Sequence, residues 1–361
     1  MPPLAIRIIR RTYRLMNDPC RPVIRWLDVV CAMILLMVLV GGITRLTESG
    51  LSMVTWEPIL GVIPPRSEAE WQMRFDQYRA YPEYQLIKKG MTLAEFKVIF
   101  FWEYLHRLLG RLIGLVYALP LIWFIARGAV RGRLAALLLL GLALGGLQGF
   151  VGWWMVKSGL DQNPYVSPLR LAIHLGLALF LLSFLWWIRL DLAKPRPRFT
   201  RTERRPLQGL ARGFAALLIL QIFYGALTAG LNAGYMYNTF PLMMGRVFPP
   251  GMWSMNSGFL NLFENAVTVQ WIHRALGWLV LAFAIGLWLA GRRHLAPNTL
   301  ARRAATAVLL LTVLQFLLGV GTLLLKVPIW LGVSHQVNAA LLLLAAVTLI
   351  YATPASRHTT A

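Results

Sequence analysis

The chain has 361 residues, of which 58% are hydrophobic and 14% charged, and 36 Lys+Arg against 14 Asp+Glu leave a net charge of +22. Soluble domains carry about 25% charge, whereas these apolar residues are gathered into runs able to cross a hydrocarbon layer of about 30 Å at about 1.5 Å per helical residue. Soluble-enzyme, disordered and collagen-like chains are excluded, and so is nucleic-acid binding, because the arginines lie between apolar runs instead of on one basic face.

In chain order, residues 1–26 form a basic segment with no small-residue cleavage site after a short apolar core, which reads as a cytoplasmic anchor and not a secretory signal. Cys20 and Cys31 bracket the start of the first apolar run at a spacing that suits neither a metal knuckle nor a disulfide framework. Spans are predicted at about 27–46, 98–126, 134–156, 169–190, 211–231, 265–290, 304–325 and 330–352. The fold class is therefore all-α: a polytopic membrane protein with eight transmembrane helices.

Short basic connections stay cytoplasmic. Arg127, Arg131 and Arg133 follow the second span, a run from Lys194 to Arg205 follows the fourth, and Arg292, Arg293, Arg302 and Arg303 follow the sixth. The opposite connections hold only Lys157 with Arg170, Arg246, and Lys326, so both termini are placed in the cytoplasm. The first connection, 47–97, is long and mixes acids with bases; its tryptophans, prolines and helix-like stretch around Trp71 to Tyr81 predict a folded cap on the outer face.

The chain repeats itself. Tyr104-Leu-His-Arg-Leu-Leu-Gly110 returns as Trp271-Ile-His-Arg-Ala-Leu-Gly277, and Leu147-Gln148 and Gly152 return as Leu314-Gln315 and Gly319 at the same offset of 167. His174 has a counterpart in His335, at an offset of 161. Gly41, Thr44, Gly50 and Thr55-Trp56 are echoed by Gly225, Thr228, Gly234 and Thr239-Phe240, at an offset of 184. Two duplicated four-helix bundles follow, both in the same orientation because four spans return the chain to its starting side. The organisation expected is a cytoplasmic segment at 1–26, an N-terminal half at 27–192, a cytoplasmic linker at 193–210, a C-terminal half at 211–353 and a cytoplasmic tail at 354–361.

Of the six histidines, His294 and His358 fall in cytoplasmic segments. His106, His174, His273 and His335 each follow the predicted start of an even-numbered span by five to eight residues, about 8 to 12 Å below the outer boundary. Ionisable residues inside a membrane are costly and point to function. Paired imidazoles without cysteine or carboxylate partners most simply make a bis-imidazole haem site. Gly110 and Gly277, one turn after His106 and His273, leave room on that face for a flat macrocycle or for close helix packing. Arg107 and Arg274 suit either haem carboxylates or snorkelling to the interface.

One duplicated position differs in chemistry. Glu103 stands three residues before His106, and its counterpart is Gln270. A carboxylate can shuttle protons and an amide cannot titrate, so chemistry is assigned to the N-terminal half and electron supply or structural support to the C-terminal half. Histidine geometry by itself also admits a dihaem b-type electron-transfer cytochrome.

Gly41-Gly-Ile-Thr-Arg-Leu-Thr-Glu-Ser-Gly-Leu-Ser-Met53, Trp56-Glu-Pro58, Gly61-Val-Ile-Pro-Pro65, Pro82-Glu-Tyr84, Glu95-Phe-Lys97 and Trp102-Glu-Tyr-Leu-His-Arg107 resemble the haem A synthase family. So do Leu147-Gln148 to Trp154, Asn238-Thr-Phe-Pro241, Glu264-Asn265, Val269-Gln-Trp-Ile-His-Arg-Ala-Leu-Gly277 and His335-Gln336, a likeness running from about 27 to 350. It is nearest to the alpha-proteobacterial and mitochondrial branch, since the first loop lacks the cysteine pair of the other branch. The resemblance implies conversion of haem O to haem A by two hydroxylations of a ring methyl and loss of water to a formyl group. It further implies that His106 and His174 flank the substrate haem, that Glu103 assists at the reacting methyl, and that His273 and His335 ligate a resident haem b. Also implied are service to terminal cytochrome oxidase and the haem O farnesyltransferase as a partner; a bacterial inner-membrane location and an unidentified electron donor are expected with them, and the sequence leaves open whether the chain forms a homo-oligomer.

Overall fold

The computed structural model describes residues 20–56, 60–161, 163–193 and 201–353. The basic anchor before Cys20, the linker residues 194–200, the tail 354–361 with His358, residues 57–59 and Gln162 lie outside the described residues, as do the side chains of Leu60 and of residues 201–206. Nine α-helices organise the described chain: α1 Arg21–Leu46, α2 Glu68–Arg79, α3 Leu93–Ala126, α4 Gly132–Lys157, α5 Pro168–Ala193, α6 Arg201–Gly230, α7 Ala266–His294, α8 Leu300–Leu324 and α9 Ile329–Ala352. All but α2 are long and apolar enough to cross a membrane, and no strand occurs among the described residues. The protein is an all-α, multi-pass membrane protein.

Local chemistry sets where the helices begin. Pro22 opens α1, where the missing N–H would have had no helical partner anyway. A capping box opens α3: Glu95 N–H donates to Thr92 Oγ1 at 3.3 Å and Thr92 N–H to Glu95 Oε2 at 2.8 Å. Asn265 Oδ1 accepts from Val267 N and Thr268 N at the head of α7, and Thr299 Oγ1 accepts from Arg302 N at the head of α8.

Several helices run past their predicted spans, because the backbone ladder continues after the apolar stretch ends. Helix α1 starts six residues early, so Trp26 lies within it and donates from Nε1 to Val116 O at 2.8 Å. Helix α6 reaches back into the expected linker, although its membrane-length portion is Leu207–Gly230. Helix α3 begins at Leu93 and brings Phe96, Ile99 and Phe100 against Phe75 and Tyr78. That cluster is the core of the predicted cap, with helix α2 at Glu68–Arg79, capped by Ser67, slightly ahead of the expected stretch. A π-helical turn at Glu83–Ile87, which the sequence reading lacks, completes it. There Tyr78 donates its hydroxyl to Glu83 Oε2 at 2.9 Å, and burial pushes the Glu83 carboxyl above the usual carboxylate range, with Lys88 opposing.

Packing follows the repeat. In the N-terminal half α1 lies on α3 and α5, with α3 on α4 and α4 on α5; in the C-terminal half α6 lies on α7 and α9, with α7 on α8 and α8 on α9. The halves meet where α1 touches α9 and α5 touches both α6 and α9. Across that seam Gln336 donates to Val38 O at 2.8 Å and Trp186 Nε1 to Thr348 Oγ1 at 2.9 Å. Arg45 Nη2 donates to Ala229 O at 2.7 Å, across a sequence separation of 184. That separation equals the repeat offset, so Arg45 touches its own counterpart in the sequence repeat. Away from the seam, Leu112, Leu115, Leu119 and Ile122 on α3 are exposed, a helical stripe suited to hydrocarbon.

Candidate functional site

Helix α3 carries Glu103, His106 and Arg107, and α7 carries the matching Gln270, His273 and Arg274; α5 supplies His174 and α9 His335. Each imidazole rests on a glycine of a neighbouring helix. A Cβ built on Gly41 would stand 3.3 Å from His106 Nε2, and one on Gly225 3.0 Å from His273 Cε1. On Gly152 it would stand 2.9 Å from His174 Cε1, and on Gly319 2.9 Å from His335 Cε1. Separations this short leave little or no room for a side chain, so the repeated glycines are the niches that seat the rings. The room expected beside Gly110 and Gly277 is taken differently: their missing side chains face Met37 Cε at 3.4 Å and Gln221 Nε2 at 3.6 Å.

The C-terminal pair is spaced as two imidazoles that could hold one metal between them. The His273 and His335 ring centroids are 6.4 Å apart with planes at 80°. Two imidazole nitrogens on opposite sides of one metal, each at about 2 Å, put the ring centroids roughly 6 to 6.5 Å apart. His273 Nδ1 is buried without a partner. Among the described residues no group of three or more His, Cys, Asp or Glu is placed to hold a metal ion. A haem fits these residues. In the N-terminal half the second predicted pair, His106 and His174, stands on α3 and α5, which both pack against α1.

The glutamine present in both halves of the repeat also has a structural counterpart. Gln148 Nε2 lies 3.1 Å from His174 Nδ1, and Gln315 Nε2 lies 3.2 Å from His335 Nδ1. Asn338 Nδ2 donates to Gln315 Oε1 at 2.7 Å, fixing that amide, whereas Gln148 Oε1 is buried without a partner. The recurrence of Leu-Gln in the sequence carried this signal; that the glutamines meet the histidines did not follow from spacing.

Glu103 is 2% exposed and fully engaged. Its Oε2 accepts from Ser52 Oγ and from Met53 N, each at 2.7 Å, and its Oε1 accepts from Arg107 Nη2 at 2.6 Å. Arg107 also donates to Met53 O and Thr55 O. The carboxylate thus ties the cap to α3 one turn from His106, and Ser52 and Met53 are site residues that the sequence reading missed. In the other half Arg274 Nη2 donates to Tyr237 O and Thr239 O, at the repeat offset of 184 from Met53 and Thr55. Gln270 turns its amide Nε2 to Tyr237 O at 3.2 Å, so in both halves the residue one turn before the arginine reaches the same loop position, as a carboxylate in one half and an amide in the other.

The family model COX15-CtaA, described as cytochrome oxidase assembly protein, matches residues 24–347. A protein of Nitrosospira multiformis named "Heme A synthase" is 43% identical over 90% of this chain and 92% of its own length. Proteins of the same name from Rhizobium meliloti and Caulobacter vibrioides are each 46% identical, over 88% and 91% of this chain and 86% and 95% of their own lengths.

Proposed function

Because this chain belongs to the cytochrome oxidase assembly family, we propose that it is a haem A synthase, a membrane oxidoreductase converting haem O to haem A. The observation that carries the assignment of roles is the single carboxylate difference between otherwise duplicated His-Arg frames. The substrate haem O occupies the N-terminal half between His106 and His174. Each hydroxylation replaces a C–H bond of one ring methyl by C–OH with dioxygen as the oxidant: one oxygen atom enters the methyl and the other leaves as water, taking up two electrons from the donor and two protons; after the second, the carbon bears two hydroxyls and loses water to become a formyl group.

The residues of this chain hold the substrate and move protons. His106 and His174, seated on Gly41 and Gly152, orient the macrocycle so that one methyl edge meets the cap side of α3. Glu103 exchanges a proton at Oε2, where the Ser52 hydroxyl donates, and Arg107 with Met53 N–H keeps the carboxylate from swinging away. His273 and His335 hold a resident haem b, which when bound supplies single-electron transfer. The cap covers the outer end of the N-terminal site with the aromatic cluster around Phe96 and limits the access of water.

The basic connections orient the chain with both termini in the cytoplasm of a bacterial inner membrane. An electron donor reaches it there, and the haem O farnesyltransferase is the natural supplier of substrate. Expression together with a source of haem O, followed by pigment extraction and haem identification, tests the assignment: haem A should accumulate, and only when this chain is present. Two molecules of haem b per chain with no haem A would instead identify an electron-transfer cytochrome.

The glycine niches give a separate prediction. Gly319→Ala places a methyl carbon 2.9 Å from His335 Cε1 and should push the imidazole off axis. Displacing a ligand's support typically weakens metal affinity about 10- to 100-fold, so the haem-to-protein ratio after purification should fall. Gly286→Ala, where a Cβ meets nothing within 4 Å, should leave that ratio unchanged.

A further inference from the structure

The two arginines differ in how their charge is met. Arg107 is satisfied by protein: Glu103 takes Nη2 at 2.6 Å, and the carbonyls of Thr55 and Met53 take Nη1 and Nη2. Arg274 has two carbonyl partners for Nη2, but its Nε and Nη1 are buried with no hydrogen-bond partner, and so is the neighbouring Gln270 Oε1. No ion pair involving Arg274 occurs among the described residues. A buried guanidinium with idle donors is costly unless an anion completes it, and guanidinium forks match carboxylates. Arg274 follows His273 on α7, so a ligand held at that histidine lies near enough to bring a carboxylate to the idle donors.

We infer that the residue one turn before each arginine sets how long a haem stays in each half. This rests on the functional reading above. Gln270 leaves Arg274 open to a carboxylate side chain of the macrocycle, so the C-terminal half retains its haem as a resident group. Glu103 neutralises Arg107 internally, so a haem in the N-terminal half gains no such anchor and can leave after reaction. One substitution in the repeat thereby separates a cofactor site from a turnover site, in addition to any part Glu103 plays at the reacting methyl.

The test measures haem release, not activity. The purified full-length protein in detergent is mixed with excess apomyoglobin as haem acceptor, and transfer from each half is followed by absorbance. Gln270→Glu supplies Arg274 with an internal partner and should speed loss of the resident haem about tenfold or more. Glu103→Gln should slow release of haem loaded into the N-terminal half by a similar factor, a gain that a damaged fold would not produce. Unchanged release rates in both variants would overturn the inference while leaving the functional reading intact. A wild-type chain whose haem spectrum is indifferent to His273→Ala would overturn both.

Discussion

Replacing His273 by alanine is expected to yield a folded chain stripped of its resident haem. The His273 ring stands 6.4 Å from that of His335, and its Nδ1 has no hydrogen-bond partner among the described residues. The substitution leaves the α7 backbone ladder intact, and alanine is the most favourable helix residue. With one axial position gone, the haem-to-protein ratio should drop at least about tenfold, beyond the lower end of what disturbing a ligand's second shell costs. The measurement is the reduced-minus-oxidised spectrum of protein that still elutes as the wild type does. A b-type spectrum of normal intensity would remove His273 from the ligand set. His335→Ala should behave in the same way, because on the proposed reading the two imidazoles, 6.4 Å apart on α7 and α9, would hold the same haem.

Glu103→Gln is expected to abolish formyl production while leaving the protein folded and able to bind haem. The C-terminal half already shows that the frame accepts an amide here: Gln270 occupies the same position beside Arg274 and donates to Tyr237 O. The substitution keeps shape and removes only the titratable group, and a positioned acid or base contributes about 10²- to 10⁴-fold to a rate. Haem A output per mole of protein should fall by a factor in that range when haem O is supplied in excess. Output equal to that of the wild type would mean that Glu103 serves only to tie the cap, through Ser52 and Met53, to α3.

The legible part of this protein was its frame. Eight spans, the duplication and the four intramembrane histidines could be read from hydropathy and spacing, because a helix in hydrocarbon must satisfy its own backbone and so announces itself as a long apolar run. Helix ends were less legible: α1, α3 and α6 continue past their apolar stretches, since the hydrogen-bond ladder does not stop at the lipid boundary. The π-helical turn at Glu83–Ile87 has no periodic signature. Among the site residues, the glycines opposite the histidines were visible as repeats, yet the expectation of room for a macrocycle fell on Gly110 and Gly277, which face Met37 and Gln221.

From the sequence alone came the residue types, their order and their duplication, including the Glu103 to Gln270 difference, because these depend on local pattern and on comparing one half of the chain with the other. Only the tertiary structure decided what each of those groups touches. It clamps Glu103 between the cap and Arg107, and it sets the His273 and His335 rings 6.4 Å apart. It also leaves Arg274 with idle donors. These contacts join residues from a single helical turn to tens of positions apart, on helices whose rotation and separation are set by side-chain packing across the whole bundle. Spacing along the chain places a residue on a helix face; which neighbour that face meets is a property of the packed ensemble of helices.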